Sequence, residues 1–256
     1  MRLKENIAIL AVGALSLSLG FTAYWANGSS AAIKASTSPA YSSFGVQLPA
    51  DYELHGIDVS RHQHSIDWQA VSQVKHNDVT ISFAFIKASE GRTVVDEYFK
   101  ENWREARESG LLRGAYHFFR PHLTAEEQAS LFFRMVPRLE KGDLPPVLDI
   151  EMRGSCPAAK LKKKLKRFLV LTEKRYGMTP IIYTNFGFYK HFLTGREFSK
   201  YPLWIAHYQT PDLNYKLSNW HFWQHSDRGR VNGIRGTVDF NVFNGEADDL
   251  LKLCKR

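Results

Sequence analysis

The feature that most constrains this fold is the alternation of short β-prone runs with helical segments along residues 54–256. The pattern predicts eight strands, at residues 55–60, 79–87, 112–119, 146–151, 180–184, 203–207, 221–225 and 236–243. It predicts five helices, at residues 66–74, 98–109, 124–140, 158–176 and 186–193. Such alternation favours a parallel sheet with right-handed crossovers, and eight strands favour closure into a TIM-barrel-like α/β domain. The segments that connect the last three predicted strands show no helical periodicity.

The N-terminal segment predicts a membrane address. Arg2 and Lys4 precede an apolar run at residues 7–25, whose nineteen residues approach the ~20 that a membrane-spanning helix needs. The basic flank predicts that the chain after this run lies outside the cytoplasm. Residues 1–26 are therefore expected to be a signal peptide or an uncleaved anchor, residues 27–53 a Ser-, Ala- and Pro-rich linker, and residues 54–256 the barrel domain.

Composition narrows the possible functions. Hydrophobic residues make up 44% of the 256-residue chain, which excludes a disordered protein. The net charge of +8 favours anionic partners, and the extracytoplasmic address disfavours nucleic acid among them. The only cysteines, Cys156 and Cys254, form neither a disulfide framework nor a zinc-finger spacing, and the sequence leaves open whether they are bonded.

Four carboxylates fall on predicted strands where barrel enzymes carry their chemistry. Asp58 ends the first strand, Asp149 and Glu151 end the fourth, and Asp239 lies on the eighth. Residues two apart on a strand point to one face, so Asp149 and Glu151 should raise each other's pKa. A protonated carboxyl beside an anionic one is what glycoside hydrolysis requires. Alternatively, each acid is an ordinary strand-end residue that caps a helix or pairs with a lysine.

Aromatic and polar side chains occupy the other predicted strand ends and suit the apolar faces and hydroxyl edges of sugars. The predicted substrate-binding residues are Tyr116, Tyr183, Trp204, Tyr208 and Gln224. The same ends also carry His117, Asn185, His207 and Trp223. Alternatively, these aromatic rings only fill the barrel interior.

Two further patterns have structural interpretations. His62 and His64 lie near Asp58 but lack a third ligand at a suitable spacing, so no metal is expected. The basic run at residues 160–167 is expected to be the solvated face of a helix. The residues of that helix expected to face the core are Leu161, Leu165, Phe168 and Leu169.

Eight fragments, in order along residues 54–245, resemble glycoside hydrolase family 25, the lysozymes with an Asp-x-Glu motif. They are GIDVS at 56–60 (followed by Gln63 and IDW at 66–68), FIKASEG at 85–91, GAYHF at 114–118, LDIE at 148–151, PIIY at 180–183, LWIA at 203–206, FWQ at 222–224 and VDFN at 238–241. Each fragment alone is weakly specific, whereas all eight in order are specific.

The resemblance implies a monomeric lysozyme that hydrolyses the β-1,4 bond between N-acetylmuramic acid and N-acetylglucosamine in peptidoglycan, with retention and without cofactor or metal. It implies Glu151 as the proton donor and Asp58, Asp149 and Asp239 as the other active-site acids. Either an aspartate is the nucleophile, or the substrate's N-acetyl group attacks while Asp149 or Asp239 supports the oxazolinium. We favour the second route.

Two rival functions are weighed against this one. A non-catalytic wall-binding protein on the same barrel is disfavoured because all four acids are present. A glycosidase for another amino-sugar polymer, such as chitin, is disfavoured because Leu144 and Val147 stand where a chitinase-type run has aspartates. The wall-binding repeats of many secreted family members are missing from this sequence, so the basic surface or the membrane segment is expected to hold the domain near the wall.

Overall fold

The computed structural model of the protein describes residues 44–49, 51–76 and 79–256. The predicted membrane segment, residues 1–26, and the predicted linker up to residue 43 lie outside the described residues. In the part of the chain that is described, no helix combines the length and apolar character needed to cross a bilayer.

Eight strands close into a barrel, which confirms the predicted fold class. They are β1 (His55–Val59), β2 (Val79–Glu90), β3 (Leu112–Phe118), β4 (Val147–Asp149), β5 (Ile181–Asn185), β6 (Leu203–Ala206), β7 (Phe222–Gly229) and β8 (Val238–Phe243). Each strand pairs with the next in chain order, and β1 pairs with both β2 and β8, which closes the cylinder. Two-residue strands at Lys75–His76 and Val94–Val95 pair with β2 outside this path.

The last strand differs from the predicted parallel arrangement. β8 runs antiparallel to both β7 and β1, whereas the other six pairings are parallel. Only residues 230–237 join β7 to β8, and a parallel return needs a crossover of about a dozen residues or more. The beginning of β8, rather than its end, therefore lies beside the end of β1.

Within the described residues six helices accompany the strands, one more than predicted. They are α1 (Trp68–Ser72), α2 (Phe99–Glu108), α3 (Ala125–Met135), α4 (Ala158–Tyr176), α5 (Phe186–Phe188, continued by a π-helical turn at Tyr189–Leu193) and α6 (Ala247–Leu253). Single 3₁₀ turns occur at Arg61–Gln63, Arg196–Phe198 and Leu213–Tyr215. α3 ends earlier than predicted because Val136 precedes Pro137, and a residue before proline disfavours helical backbone.

Large aromatic rings fill the barrel interior. Phe85 stacks on Trp204 with ring centroids 4.3 Å apart, and Phe83 packs against Phe85. The rings fit because glycines face them: a Cβ at Gly56 would lie 2.3 Å from the Phe83 ring, and one at Gly114 would lie 2.5 Å from the Phe85 ring. The interior is therefore a packed floor beneath the mouth of the barrel.

Helices complete the core outside and below this floor. The four core residues predicted on α4 are all fully buried, as expected for an amphipathic helix whose basic face meets solvent. Leu250 of α6, and Cys254 directly after α6, belong to the interior cluster on the side of the barrel opposite the mouth. Cys156, in the loop before α4, and Cys254 are both buried, and they are not bonded to each other.

The chain before β1 covers the outer face of β7 and β8. We call its described residues, 44–49 and 51–52, the N-terminal strap. Phe44 is 2% exposed and its ring lies 5.2 Å from that of Phe240, while the Arg230 amide donates to the Phe44 carbonyl at 2.8 Å. Tyr52 packs on Trp220. The folded domain therefore begins before residue 54, and the end of the predicted linker belongs to the fold.

Candidate active site

The four predicted acids lie close enough at the mouth for their charges to interact. Asp58, at the end of β1, is directly opposite Asp239 at the beginning of β8. Asp149 ends β4, and Glu151 follows two residues later. The charge of Asp58 raises the pKa of each of the other three acids. The reversed direction of β8 is what brings Asp239 to this end of the barrel.

Asp58 and Asp239 form a hydrogen-bonded carboxyl pair. Asp58 is 6% exposed and accepts from the Gln224 side-chain amide at 2.8 Å and from the Asn241 amide at 2.7 Å. Burial raises the pKa of Asp58, and its hydrogen bonds oppose that rise. Burial, followed by the charge of Asp58, raises the pKa of Asp239 to about 9. Asp239 therefore holds the proton of the pair near neutral pH and donates it to Asp58.

Asp149 is a buried carboxyl with one unused oxygen. It is 4% exposed, and burial, followed by the charge of Glu151, raises its pKa well above the ordinary value. Its Oδ1 atom has no hydrogen-bond partner among the described residues. Because buried polar atoms are nearly always paired in native proteins, this oxygen is available to a ligand at the mouth.

Glu151 is half-buried, and its backbone is held by a neighbouring strand. The Asn185 side-chain amide donates to the Glu151 carbonyl at 3.1 Å, while the Asn185 oxygen caps α5. Burial, followed by the charge of Asp58, raises the pKa of Glu151, whereas Lys87 and Arg120 lower it. A carboxyl with a raised pKa retains its proton at higher pH and can act as an acid.

Three of the predicted substrate-binding residues form one hydrogen-bonded chain. Tyr183 and Tyr208 donate their hydroxyl protons to the Gln224 oxygen, at 2.8 and 2.6 Å. With its oxygen engaged, Gln224 turns its amide N–H toward Asp58. Tyr183 is buried, whereas Tyr208 is 47% exposed, so Tyr208 offers its ring at the rim of the mouth.

The other two predicted substrate-binding residues lie deeper. Trp204 is 1% exposed and belongs to the aromatic floor, where its indole N–H donates to the Asn241 oxygen at 2.7 Å. It thereby orients the amide that donates to Asp58. Tyr116 is half-buried, with its ring 6.5 Å from that of Trp204, and burial raises the pKa of its hydroxyl.

Two further residues at predicted strand ends, His117 and Trp223, point away from the barrel interior because side chains alternate between the two faces of a strand. His117 follows Tyr116 and points into the helix layer, where it contacts the Ser89 hydroxyl at 2.9 Å and stacks on Phe168. Trp223 precedes Gln224 and points outward, donating to the His207 carbonyl at 2.8 Å. His117 and Trp223 therefore do not lie in the barrel interior, whereas Trp204 does.

A cationic cluster at the rim was not predicted. Lys87 pairs with Glu90 at 2.8 Å, and Arg120 also pairs with Glu90, its Nε atom lying 2.9 Å from the carboxylate. The positive charge of Lys87 lowers the pKa of both Asp149 and Glu151. The available signal was a lysine in the inward phase of β2, two residues after Phe85.

His62 lies on the 3₁₀ turn Arg61–Gln63 and His64 follows it. Within residues 44–49, 51–76 and 79–256, no three His, Cys, Asp or Glu side chains are grouped to hold a metal ion.

A protonated carboxyl next to further carboxyls, all on the mouth of an aromatic-floored barrel, matches what acid-catalysed cleavage of a glycosidic bond requires. Fold and site together define the class of glycoside hydrolases. The comparison with known proteins narrows the class: residues 57–234 match the glycosyl hydrolases family 25, and the chain belongs to that family.

Named relatives and solved structures agree with this assignment. The chain is 50% identical to the uncharacterized protein YegX of Escherichia coli K12 over 208 residues, 81% of this chain and 76% of that protein. It is 34% identical to lysozyme M1 of Streptomyces globisporus over 220 residues, covering 80% and 73%. A family 25 glycosyl hydrolase from Bacillus anthracis superposes with a TM-score of 0.71 at 33% identity, covering 80% of this chain and 94% of that one. The protein is a glycoside hydrolase of the lysozyme family.

Proposed function

We propose that this enzyme hydrolyses the β-1,4 bond between N-acetylmuramic acid and N-acetylglucosamine in peptidoglycan, with retention of configuration. Peptidoglycan hydrolysis is the general activity that membership of this lysozyme family supports. The observation that carries the finer proposal is the pair formed by Glu151, half-buried with a raised pKa, and Asp149, buried with an unused oxygen.

The two carboxyls take different roles because one of them retains a proton. After burial, the charge of Glu151 is the next cause of the raised pKa of Asp149, so protonation of Glu151 removes that part of the rise and favours ionisation of Asp149. Glu151, the more accessible of the two, gives its proton to the glycosidic oxygen as the bond to the muramic acid breaks. Asp149 then acts as a carboxylate beside the positive charge that develops on the sugar.

Retention follows if the substrate's own N-acetyl oxygen attacks the anomeric carbon. The free Asp149 Oδ1 accepts the acetamido N–H and stabilises the oxazolinium that forms. Water then opens the oxazolinium from the face that the leaving group vacated and returns a proton to Glu151. Asp239 is less suited to this role because it is already hydrogen-bonded to Asp58, whereas Oδ1 of Asp149 has no partner among the described residues. Neither metal nor cofactor takes part in these steps.

The residues before the barrel bring the enzyme to its substrate outside the cytoplasm. We propose that residues 1–26 are a signal peptide or anchor that carries the barrel outside the cytoplasm, and that the residues between this segment and the strap are a linker. The barrel works as a monomer on the wall, with no nucleic-acid partner.

The test is release of soluble fragments from purified peptidoglycan by the full-length protein and by Glu151→Gln. The parent should release fragments that end in reducing muramic acid, and Glu151→Gln should be at least roughly a hundredfold slower, as expected for loss of a general acid. A matched control is Glu126→Gln, an exposed glutamate that pairs with Arg167 at 2.7 Å and should keep full activity.

The outcomes separate the rival functions. A parent that binds wall but releases nothing would support the non-catalytic wall-binding alternative. Equal rates for the parent and Glu151→Gln would show that another group supplies the proton. Fragments ending in reducing N-acetylglucosamine would mean that the enzyme cuts the other glycosidic bond of the polymer.

A further inference from the structure

A groove of about 410 Å³ lies beside the mouth, between the N-terminal strap and the loop that follows β6. Strap residues 45–49 form one wall and residues 208–211 form the other. Tyr208 belongs to both places, because it lines the groove and its hydroxyl donates to Gln224 in the active site. The groove is therefore continuous with the site. The strap wall lies outside the residues that match the family, 57–234.

The lining of the groove suits an extended peptide better than a sugar ring. The indole at its base, Trp223, is 1% exposed and donates to the His207 carbonyl, so it offers no open face for stacking. In contrast, Gln47 and Leu48 line the groove and make no hydrogen bond within the described part of the chain. Backbone groups that are left free in this way can pair with an added extended chain.

The charges also favour a peptide that carries carboxylates. The acids of the mouth that are ionised repel an anionic substituent of the substrate. Among the described residues that line the groove, Arg228 is the only lysine, arginine, aspartate or glutamate. It is 84% exposed, and its ion-pair contact with Asp227 is long, at 3.5 Å. A carboxylate that leaves the acidic mouth along the groove would meet this guanidinium.

We propose that the groove binds the peptide stem of the substrate. The stem is carried by the lactyl group of muramic acid and includes free carboxylates, so this inference rests on the proposed function. The stem leaves the sugar at the mouth, passes Tyr208, pairs with the strap backbone and places a carboxylate on Arg228. The strap thereby makes the enzyme prefer glycan that still carries its stems.

The experiment measures binding rather than hydrolysis, so that it is independent of catalysis. The full-length protein is titrated with a disaccharide-tetrapeptide from peptidoglycan and with the same disaccharide freed of its peptide. The parent should bind the stem-bearing ligand more tightly, and Arg228→Glu should weaken that binding roughly fivefold, the upper range for an exposed ion pair, while leaving the peptide-free ligand unaffected. Gln47→Trp, which fills the groove from its exposed wall, should have the same selective effect.

A matched control is Arg138→Glu, an arginine that is 81% exposed, pairs with Glu140 and lies away from the groove. It should change neither affinity. The proposal that the groove binds the peptide stem would be overturned if the parent bound the two ligands with equal affinity. It would also be overturned if Arg228→Glu lowered the affinity for both ligands equally. Selective stem binding by a parent that cannot cut peptidoglycan would support the groove and count against the proposed hydrolysis alone.

Discussion

Replacing Asp239 with asparagine is expected to stabilise the folded barrel although it alters the active site. Asp239 is ionised in the unfolded chain near neutral pH but protonated in the fold, because burial and the charge of Asp58 raise its pKa to about 9. Folding must therefore take up a proton that is scarce at that pH. Asparagine keeps an N–H donor for Asp58 and has no proton to take up.

The magnitude follows from the two pKa values. Between pH 3.8, the ordinary value, and about pH 9, the folded state binds one more proton than the unfolded state. The stabilising contribution of this proton is complete below the lower value and is lost by about 1.4 kcal/mol for each pH unit as pH rises toward the upper value. Near neutral pH the loss is about 4 kcal/mol.

Asparagine recovers only part of that loss. The O–H···O⁻ bond from Asp239 to Asp58 is charge-assisted and exceeds its N–H···O⁻ replacement by about 1–2 kcal/mol. The net gain expected for Asp239→Asn near neutral pH is therefore about 2 kcal/mol.

Guanidinium unfolding at several values between about pH 5 and 8 measures both the gain and its slope. The advantage of Asp239→Asn over the parent should widen by about 1.4 kcal/mol per pH unit. Asp248→Asn, an exposed carboxyl change on α6, should keep the parent's slope. Parallel curves for the parent and Asp239→Asn, or an advantage that shrinks as pH rises, would refute the shared-proton description of this pair.

Two further changes test the floor and the rim. Gly114→Ala places a methyl group 2.5 Å from the Phe85 ring and should lower the free energy of unfolding by about 1–3 kcal/mol. The double variant Gly114→Ala with Phe85→Leu should recover part of this loss. If a thermal unfolding scan shows no loss for Gly114→Ala, the ring shifts freely. Lys87→Met removes a cation that lowers the pKa of Glu151. Because Glu151 must be protonated to act as the acid, the alkaline limb of the pH–rate profile should move to higher pH. Movement to lower pH would contradict the role of Glu151 as the acid.

The elements that the sequence predicted well are those whose local pattern is decisive. Every barrel strand coincides with a predicted β-prone run, and α4 has the predicted bounds because its amphipathic spacing and Gly177 are both unambiguous. The direction of a strand cannot be predicted from its own local pattern, because it depends on the length and path of the connection from the preceding strand. The shortness of residues 230–237 was the available signal for the reversal of β8. The seven-residue α6 is too short to show clear helical periodicity.

In the candidate site too, some features could be predicted from the local sequence and others could not. The rule that barrel enzymes carry their chemistry at strand ends was enough to select Asp58, Asp149 and the aromatic positions. It does not predict depth, so Trp204, which belongs to the floor, could not be told from Tyr208, which lies at the rim. Asn241 donates to Asp58 at 2.7 Å, yet nothing in its local sequence distinguishes it from an ordinary strand residue.

The antiparallel pairing of β1 with β8 makes the assembly of the Asp58–Asp239 pair depend on the order of synthesis. Asp58 and Asn241 are separated by 183 positions in the chain, and their contact forms only when the last strand closes the cylinder. Such long-range contacts form late because a large loop must close first. A chain that has emerged only as far as β7 has an open edge and half of its carboxyl pair. The contact between Asp58 and Asn241 can therefore form only after β8 has been made and has paired with β1.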